Sequence, residues 1–172
     1  MDFHSDFSCY NSIMEYKKHL DNGIYDIQDG KFKSAIENIN KSLEIKNDWA
    51  IPYFYRAVAY QALEDFDEAM LDYTKALQLN DKLTDAYYNR AKITLTRKDI
   101  TNPDISKAVE DLEKALELDE KFLDALYAIA AAHKKLGNYH KSLEYLEKLI
   151  QIEPEAINAR ALKKLILQKY II

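Results

Sequence analysis

Apolar residues along this chain recur at spacings of three and four, and polar residues fill the positions between them. Tyr53, Ala57 and Tyr60 follow this spacing, as do Tyr87, Ala91 and Thr94, and Leu126, Ala130 and His133. Such a stripe is one face of an amphipathic helix. A second set of segments alternates with these and repeats in register: KFKSAIENINKSLEI (31–45), DFDEAMLDYTKALQL (65–79), DISKAVEDLEKALEL (104–118) and NYHKSLEYLEKLIQI (138–152). A small residue holds the same place in each, namely Ala35, Ala69, Ala108 and Ser142, at successive separations of 34, 39 and 34 residues. Small residues at fixed places let helix axes approach closely, with larger neighbours such as Tyr60, Phe66, Tyr73 and Leu112 filling the space alongside. The pattern predicts an all-α chain of nine helices, four antiparallel pairs and a closing helix, with no strand.

The ends of the pattern carry their own signals. Ser12-Ile13-Met14-Glu15 has capping-box spacing, which starts the first helix near Ile13 and leaves 1–12 as an N-terminal tail. Asn102-Pro103 reads as an N-cap followed by proline at the first helical position. The five extra residues of the third pair then fall in roughly 97–102. They are expected to lengthen the turn and the end of the preceding helix as a tolerated surface loop. Beyond Pro154, residues Ile157, Ala161, Leu162, Leu165 and Ile166 form a stripe, so 157–172 is expected to cap the open end of the stack. Arg160, Lys163, Lys164 and Lys169 cover its other face, and the terminal Tyr170-Ile171-Ile172 is expected to pack on the last pair, favouring a monomer over a homo-oligomer.

Composition narrows the picture. Hydrophobic residues make up 48% and charged residues 31%, enough apolar surface for a packed core. Only 3 Gly and 3 Pro punctuate 172 residues, which favours long helices. The net charge of −5 disfavours nucleic acid, which needs a basic face. No apolar run has the length of a membrane span, and Met1–Tyr10 lacks the cationic-then-apolar order of a secretory signal. With Cys9 as the sole cysteine, a reduced, cytoplasmic location is the expectation. The histidines His4, His19, His133 and His140 have no metal-ligand spacing, and neither a phosphate loop nor a nucleophile elbow is present. No catalytic residue, metal or cofactor is expected; His133 reads as a core histidine, and acidic pairs such as Glu110-Asp111 read as a solvated face.

Taken together, the register resembles the tetratricopeptide repeat, a 34-residue helix-turn-helix unit. The resemblance covers residues 16–156 and divides 13–156 into repeats at about 16–49, 50–83, 84–122 and 123–156. Repeat two matches best, through Tyr53, Ala57, Tyr60, Phe66, Ala69, Tyr73 and Ala76, and repeat four ends in the Glu153-Pro154 that suits the family. Repeat one matches at Gly23, Phe32, Ala35 and Ile39, whereas His19, Asn22 and Asp26 replace apolar residues, as a terminal repeat facing water tolerates. The resemblance implies a right-handed superhelical solenoid in which the first helices line a concave groove for a protein or peptide. Its contact positions correspond here to Phe54, Tyr55, Val58 and Gln61, then Asp85, Tyr88, Asn89, Lys92 and Thr96, then Tyr127, Ala131, Lys134 and Lys135. Phe54, Tyr88 and Tyr127 would form an aromatic row; partial burial between helices is the alternative for the same rings.

Charge sorts by helix. Residues 64–79 carry a net −4 and 104–120 a net −5, whereas 84–98 carry +3, so an acidic segment is favoured in the groove. A co-chaperone clamp for the acidic heat-shock chaperone terminus is excluded. Its positions hold Leu20, Ile24, Tyr55, Asp85 and Asn89, or, one repeat later, Phe54, Val58, Asn89, Asp124 and Ala128, so only Asn89 suits it. A non-catalytic adaptor is the leading expectation. A self-assembling scaffold or a secretion-type chaperone that masks an apolar segment are the alternatives.

Overall fold

The computed structural model describes the backbone of residues 3–170 and the side chains of residues 14–170. The side chains of His4, Cys9 and Ser12, and Ile171 and Ile172, lie outside that range. Among the described residues there are nine α-helices and no strand: α1 (Phe3–Gln28), α2 (Phe32–Ile45), α3 (Ala50–Ala62), α4 (Phe66–Leu79), α5 (Thr84–Thr96), α6 (Asn102–Leu118), α7 (Leu123–Lys135), α8 (Tyr139–Ile152) and α9 (Ile157–Tyr170). Consecutive helices pair as α1–α2, α3–α4, α5–α6 and α7–α8, and α9 packs on α8. The chain divides into two compact units, Met1–Asp81 and Lys82–Ile172.

In the first unit Ala35, Ile39, Ala57, Ala69, Tyr73 and Ala76 are wholly buried. Gly23 sits so close to α2 that an added Cβ would lie 2.5 Å from Ile39 Cγ1, which is why this crossing tolerates no side chain. Asp26, expected on a wet outer face, instead joins the two helices. Its carboxylate accepts from Ser34 Oγ at 2.7 Å and Asn38 Nδ2 at 2.8 Å. These bonds, Ser34 foremost, hold its carboxyl below the usual range against the opposing effect of desolvation. Helix α1 also begins at Phe3, well before the expected start at Ile13, so residues 3–12 are helical and the Ser12 capping-box spacing falls inside a helix.

Three of the four pairs turn on a left-handed residue at one repeat position: Gly30 (φ 73°), Glu64 (φ 62°) and Gly137 (φ 77°). Behind each, the next amide bonds back into the helix: Lys31 N to Asp26 O at 2.8 Å, Asp65 N to Tyr60 O at 3.0 Å, and Asn138 N to His133 O at 2.9 Å. This closes the last turn as a Schellman-type cap. The third pair differs. Thr101, not Asn102, is the N-cap of α6: its hydroxyl accepts from Asp104 N at 3.4 Å while Asp104 Oδ2 accepts from Thr101 N at 3.1 Å. The reciprocal Thr101–Asp104 box outcompetes the lone Asn102, and Pro103 follows inside the first turn. The five extra residues therefore extend the start of α6 and widen the turn, leaving α5 at 13 residues like α3.

In the second unit the core runs through Ala91, Leu112, Ala115, Ala125 and Ile129, then through Leu126, Leu146, Leu149, Ala159 and Ile166. Ser142, buried, satisfies its hydroxyl by donating to Ala130 O at 2.7 Å. His133 is buried and stacks on Tyr145 with ring centroids 5.7 Å apart. α9 seats itself through Ala159, Leu162 and Ile166, and Tyr170 stacks on Tyr139 at 4.3 Å. The expected stripe is thus displaced: Ile157 is 77% exposed, and Ala161 and Leu165 are also exposed. The contact runs at 159, 162 and 166 because Ala159 repeats the buried role of Ala125.

Candidate protein-binding face

The sequence-predicted residues divide between the units. In the first, Phe54, Tyr55 and Val58 on α3 are all half-buried. Phe54 packs edge-on to Tyr55 at 5.3 Å and lies 5.9 Å from Tyr73 of α4. Its ring is thus committed to holding the pair together. Tyr73 is buried, and its hydroxyl donates to Gln61 Oε1 at 2.8 Å.

In the second unit α5 and α7 present the other six. Tyr88 is half-buried, 5.0 Å from the ring of Phe122, which leads into α7. Burial, and then the charge of Asp124, push its phenol above the ordinary range. Lys92 is exposed and holds Nζ 5.8 Å from the Tyr88 ring centroid, within cation–π range. Asn89, Ala131 and Lys134 are half-buried, and Tyr127 is 37% exposed. Lys135 Nζ donates to Leu95 O at 3.0 Å, tying the end of α7 to α5. The face therefore combines a fixed backbone, two amphipathic phenols, an amide and cations. Such a surface can hydrogen-bond an extended backbone and attract carboxylates.

Each unit also contains an ion-pair device that the sequence reading missed. Arg56 of α3 donates to Asp72 of α4 through Nε at 2.7 Å and Nη2 at 2.8 Å, and its Nη1 reaches Asn40 of α2 at 2.6 Å. Arg90 of α5 grips Asp111 of α6 in the same way, at 2.8 and 2.6 Å. The pairs occupy equivalent repeat positions and are largely shielded. The Asp111 hydrogen bond raises the Arg90 pKa, and the Asp72 bond and charge raise that of Arg56 although burial opposes it. An Arg–Asp pair spaced by 16 residues in one repeat and 21 in the next was the available signal; the insertion hid its periodicity.

Among the described residues no group of three or more His, Cys, Asp or Glu could hold a metal ion. No described helix is long and apolar enough to cross a membrane.

Comparison with known proteins agrees with this architecture. A family model described as "Tetratricopeptide repeat" matches residues 50–83, and one described as "Fis1 C-terminal tetratricopeptide repeat" matches residues 123–171. Sperm-associated antigen 1 of Homo sapiens is 34% identical over 145 residues, 84% of this chain but 11% of that protein. The chain spans about a tenth of the length of the curated relatives it matches first. Among solved structures, the crystal structure of MamA protein superposes with a TM-score of 0.81 at 21% identity, covering 90% of this chain and 81% of that one. The first TPR of Spaghetti (RPAP3), bound to HSP90 peptide SRMEEVD, gives 0.65 at 24% identity, covering 72% and 94%. At these identities the structural matches speak to the fold.

Proposed function

The chain belongs to the tetratricopeptide-repeat family, and from that premise we propose that it is a non-catalytic, cytoplasmic adaptor whose α5–α7 face holds an extended acidic segment of another protein. The observation that carries this reading is the grouping of exposed Tyr127 and Lys92 with half-buried Asn89, Ala131 and Lys134 on two helices pinned by Lys135. Phe54, Tyr55 and Val58 offer the equivalent positions of the first unit. The peptide complex of the Spaghetti domain supports the general mode, since that protein holds a segment with carboxylates on the same fold. Its ligand is not carried over, because the chaperone-clamp positions here include Leu20, Ile24, Tyr55 and Asp85.

Interface energy concentrates in a few aromatic and hydrogen-bonding groups. With a partner captured by crosslinking and its bound segment synthesised, Tyr127→Ala and Asn89→Ala each weaken binding by about 1–3 kcal/mol in calorimetric titration. Tyr127 is the cleaner aromatic test, because truncating Tyr88 also removes its packing on Phe122. If both variants bind like the parent while Glu110→Lys with Glu113→Lys abolishes binding, the ligand uses the second helices and the assignment fails. Light scattering decides the scaffold alternative: a dilute monomer disfavours self-assembly.

A further inference from the structure

Helix α9 stands in the register of a first helix. Ala159 repeats Ala125, and Lys163 falls at the repeat position of Arg56 and Arg90. In α3 and α5 that cation reaches an aspartate on the following second helix, Asp72 or Asp111. On α9, Lys163 bonds Glu147 of α8 at 3.0 Å. The positions of Tyr53, Arg56, Ala57 and Tyr60 are taken by Arg160, Lys163, Lys164 and Leu167. With Ile150 and Gln168 these four line an open cleft of about 430 Å³ between α8 and α9. Lys164, exposed where Ala57 is buried, keeps an incoming helix farther off than α4 lies from α3. α9 carries Arg160, Lys163, Lys164 and Lys169 and no acid. The second helices that answer such positions elsewhere in the chain are acidic, net −4 over 64–79 and −5 over 104–120.

We propose that the α8–α9 cleft docks an acidic amphipathic helix of another protein, its carboxylates on Arg160, Lys163 and Lys164 and its apolar side on Leu167 and Ile150. Charge complementarity sets the choice of occupant, and the repeat register sets where the first carboxylate lands. An anionic membrane is the competing source of negative charge. Glu147 and Glu155, bonded to Lys163 and Arg160, sit beside the cleft and oppose a sheet of lipid phosphates, whereas a single helix can lie between them. This surface is distinct from the α5–α7 face and stands or falls separately from it.

The probe is a fluorescein-labelled synthetic peptide of residues 101–119, an acidic second helix with its own capping box, titrated into the whole chain by fluorescence anisotropy. Saturable binding is expected, weakened at least about fivefold by Lys164→Glu and similarly by Asp111→Lys in the peptide. Lys163→Asp in the chain should recover part of the binding of the Asp111→Lys peptide. Lys164 is exposed, so Lys164→Glu should melt like the parent by circular dichroism; Lys164→Gln, a milder change, should give an intermediate loss. The proposal is overturned by the absence of saturable binding, or by a peptide affinity indifferent to Lys164→Glu, as exchange with the chain's own α6 would give. Equal binding of a scrambled peptide of the same composition also overturns it. So does Lys164-dependent capture by phosphatidylserine vesicles in place of peptide binding.

Discussion

At the scale of single residues, strain and burial are placed where substitution can read them. Glu64 occupies the left-handed turn that Gly30 and Gly137 occupy in other repeats. An L-residue there costs roughly 1 kcal/mol relative to glycine. Glu64→Gly should therefore raise the stability of the first unit by about 0.5–1 kcal/mol in urea denaturation, an unusual gain for a mutation to glycine. His133 makes the opposite case. Its ring nitrogens are buried without a hydrogen-bond partner, and burial, then the nearby Lys141, push its pKa below the ordinary value, Glu113 and Glu144 opposing. The unfolded chain then takes up this proton more readily than the folded one. Stability is level above the ordinary histidine value of about 6.5 and falls as pH drops below it, until the lower folded value is reached. Melting temperatures at pH 7.5 and 5.5 should diverge, and His133→Phe should reduce the difference.

The helices are where sequence and structure can be weighed against each other. The pairs were legible because their signal is redundant: apolar periodicity, small residues at Ala57, Ala69, Ala91 and Ala108, and a fixed repeat all point one way. Features that rest on one local choice were not. Ser12 and Asn102 both read as caps, but a cap competes with helix continuation on either side: α1 runs through Ser12, and the Thr101–Asp104 box starts α6 one residue earlier than Asn102 would. On α9 two stripes were available, and the one chosen in the fold is set by which side meets Leu146 and Leu149, a tertiary fact absent from the helix itself. Of the candidate face, the register proposed the positions and partial burial was weighed for their rings; the particular neighbours, Tyr55 and Tyr73 for Phe54 and Phe122 for Tyr88, were not legible because they depend on how the helices meet. Removing residues 157–172 should expose Leu126, Leu146 and Leu149 and lose the burial of Ile166. A loss of at least about 2 kcal/mol in second-unit stability, with reduced solubility, is the expected result in denaturant titration and sedimentation.

For the molecule as a whole, the net charge of −5 conceals an uneven distribution. The first helix of repeat three is cationic and the second helices of repeats two and three are acidic, so a ligand feels the local field more than the net one. Association of the acidic segment should slow as salt rises from about 0.05 to 0.5 M, and Lys92→Glu should slow it further and flatten that dependence. Stopped-flow association rates at both salts measure this. Unchanged rates on Lys92→Glu would place the encounter elsewhere.

The widened α5–α6 turn has a practical consequence. Lys98 and Asp99 are exposed, and the Thr101–Asp104 box restarts the chain downstream regardless of what precedes it. That makes this turn a natural port for engineering. A reporter peptide or a protease site spliced between Lys98 and Asp99 can be presented to solvent without rewriting any helix. The tight left-handed turns at Gly30, Glu64 and Gly137 offer no such opening.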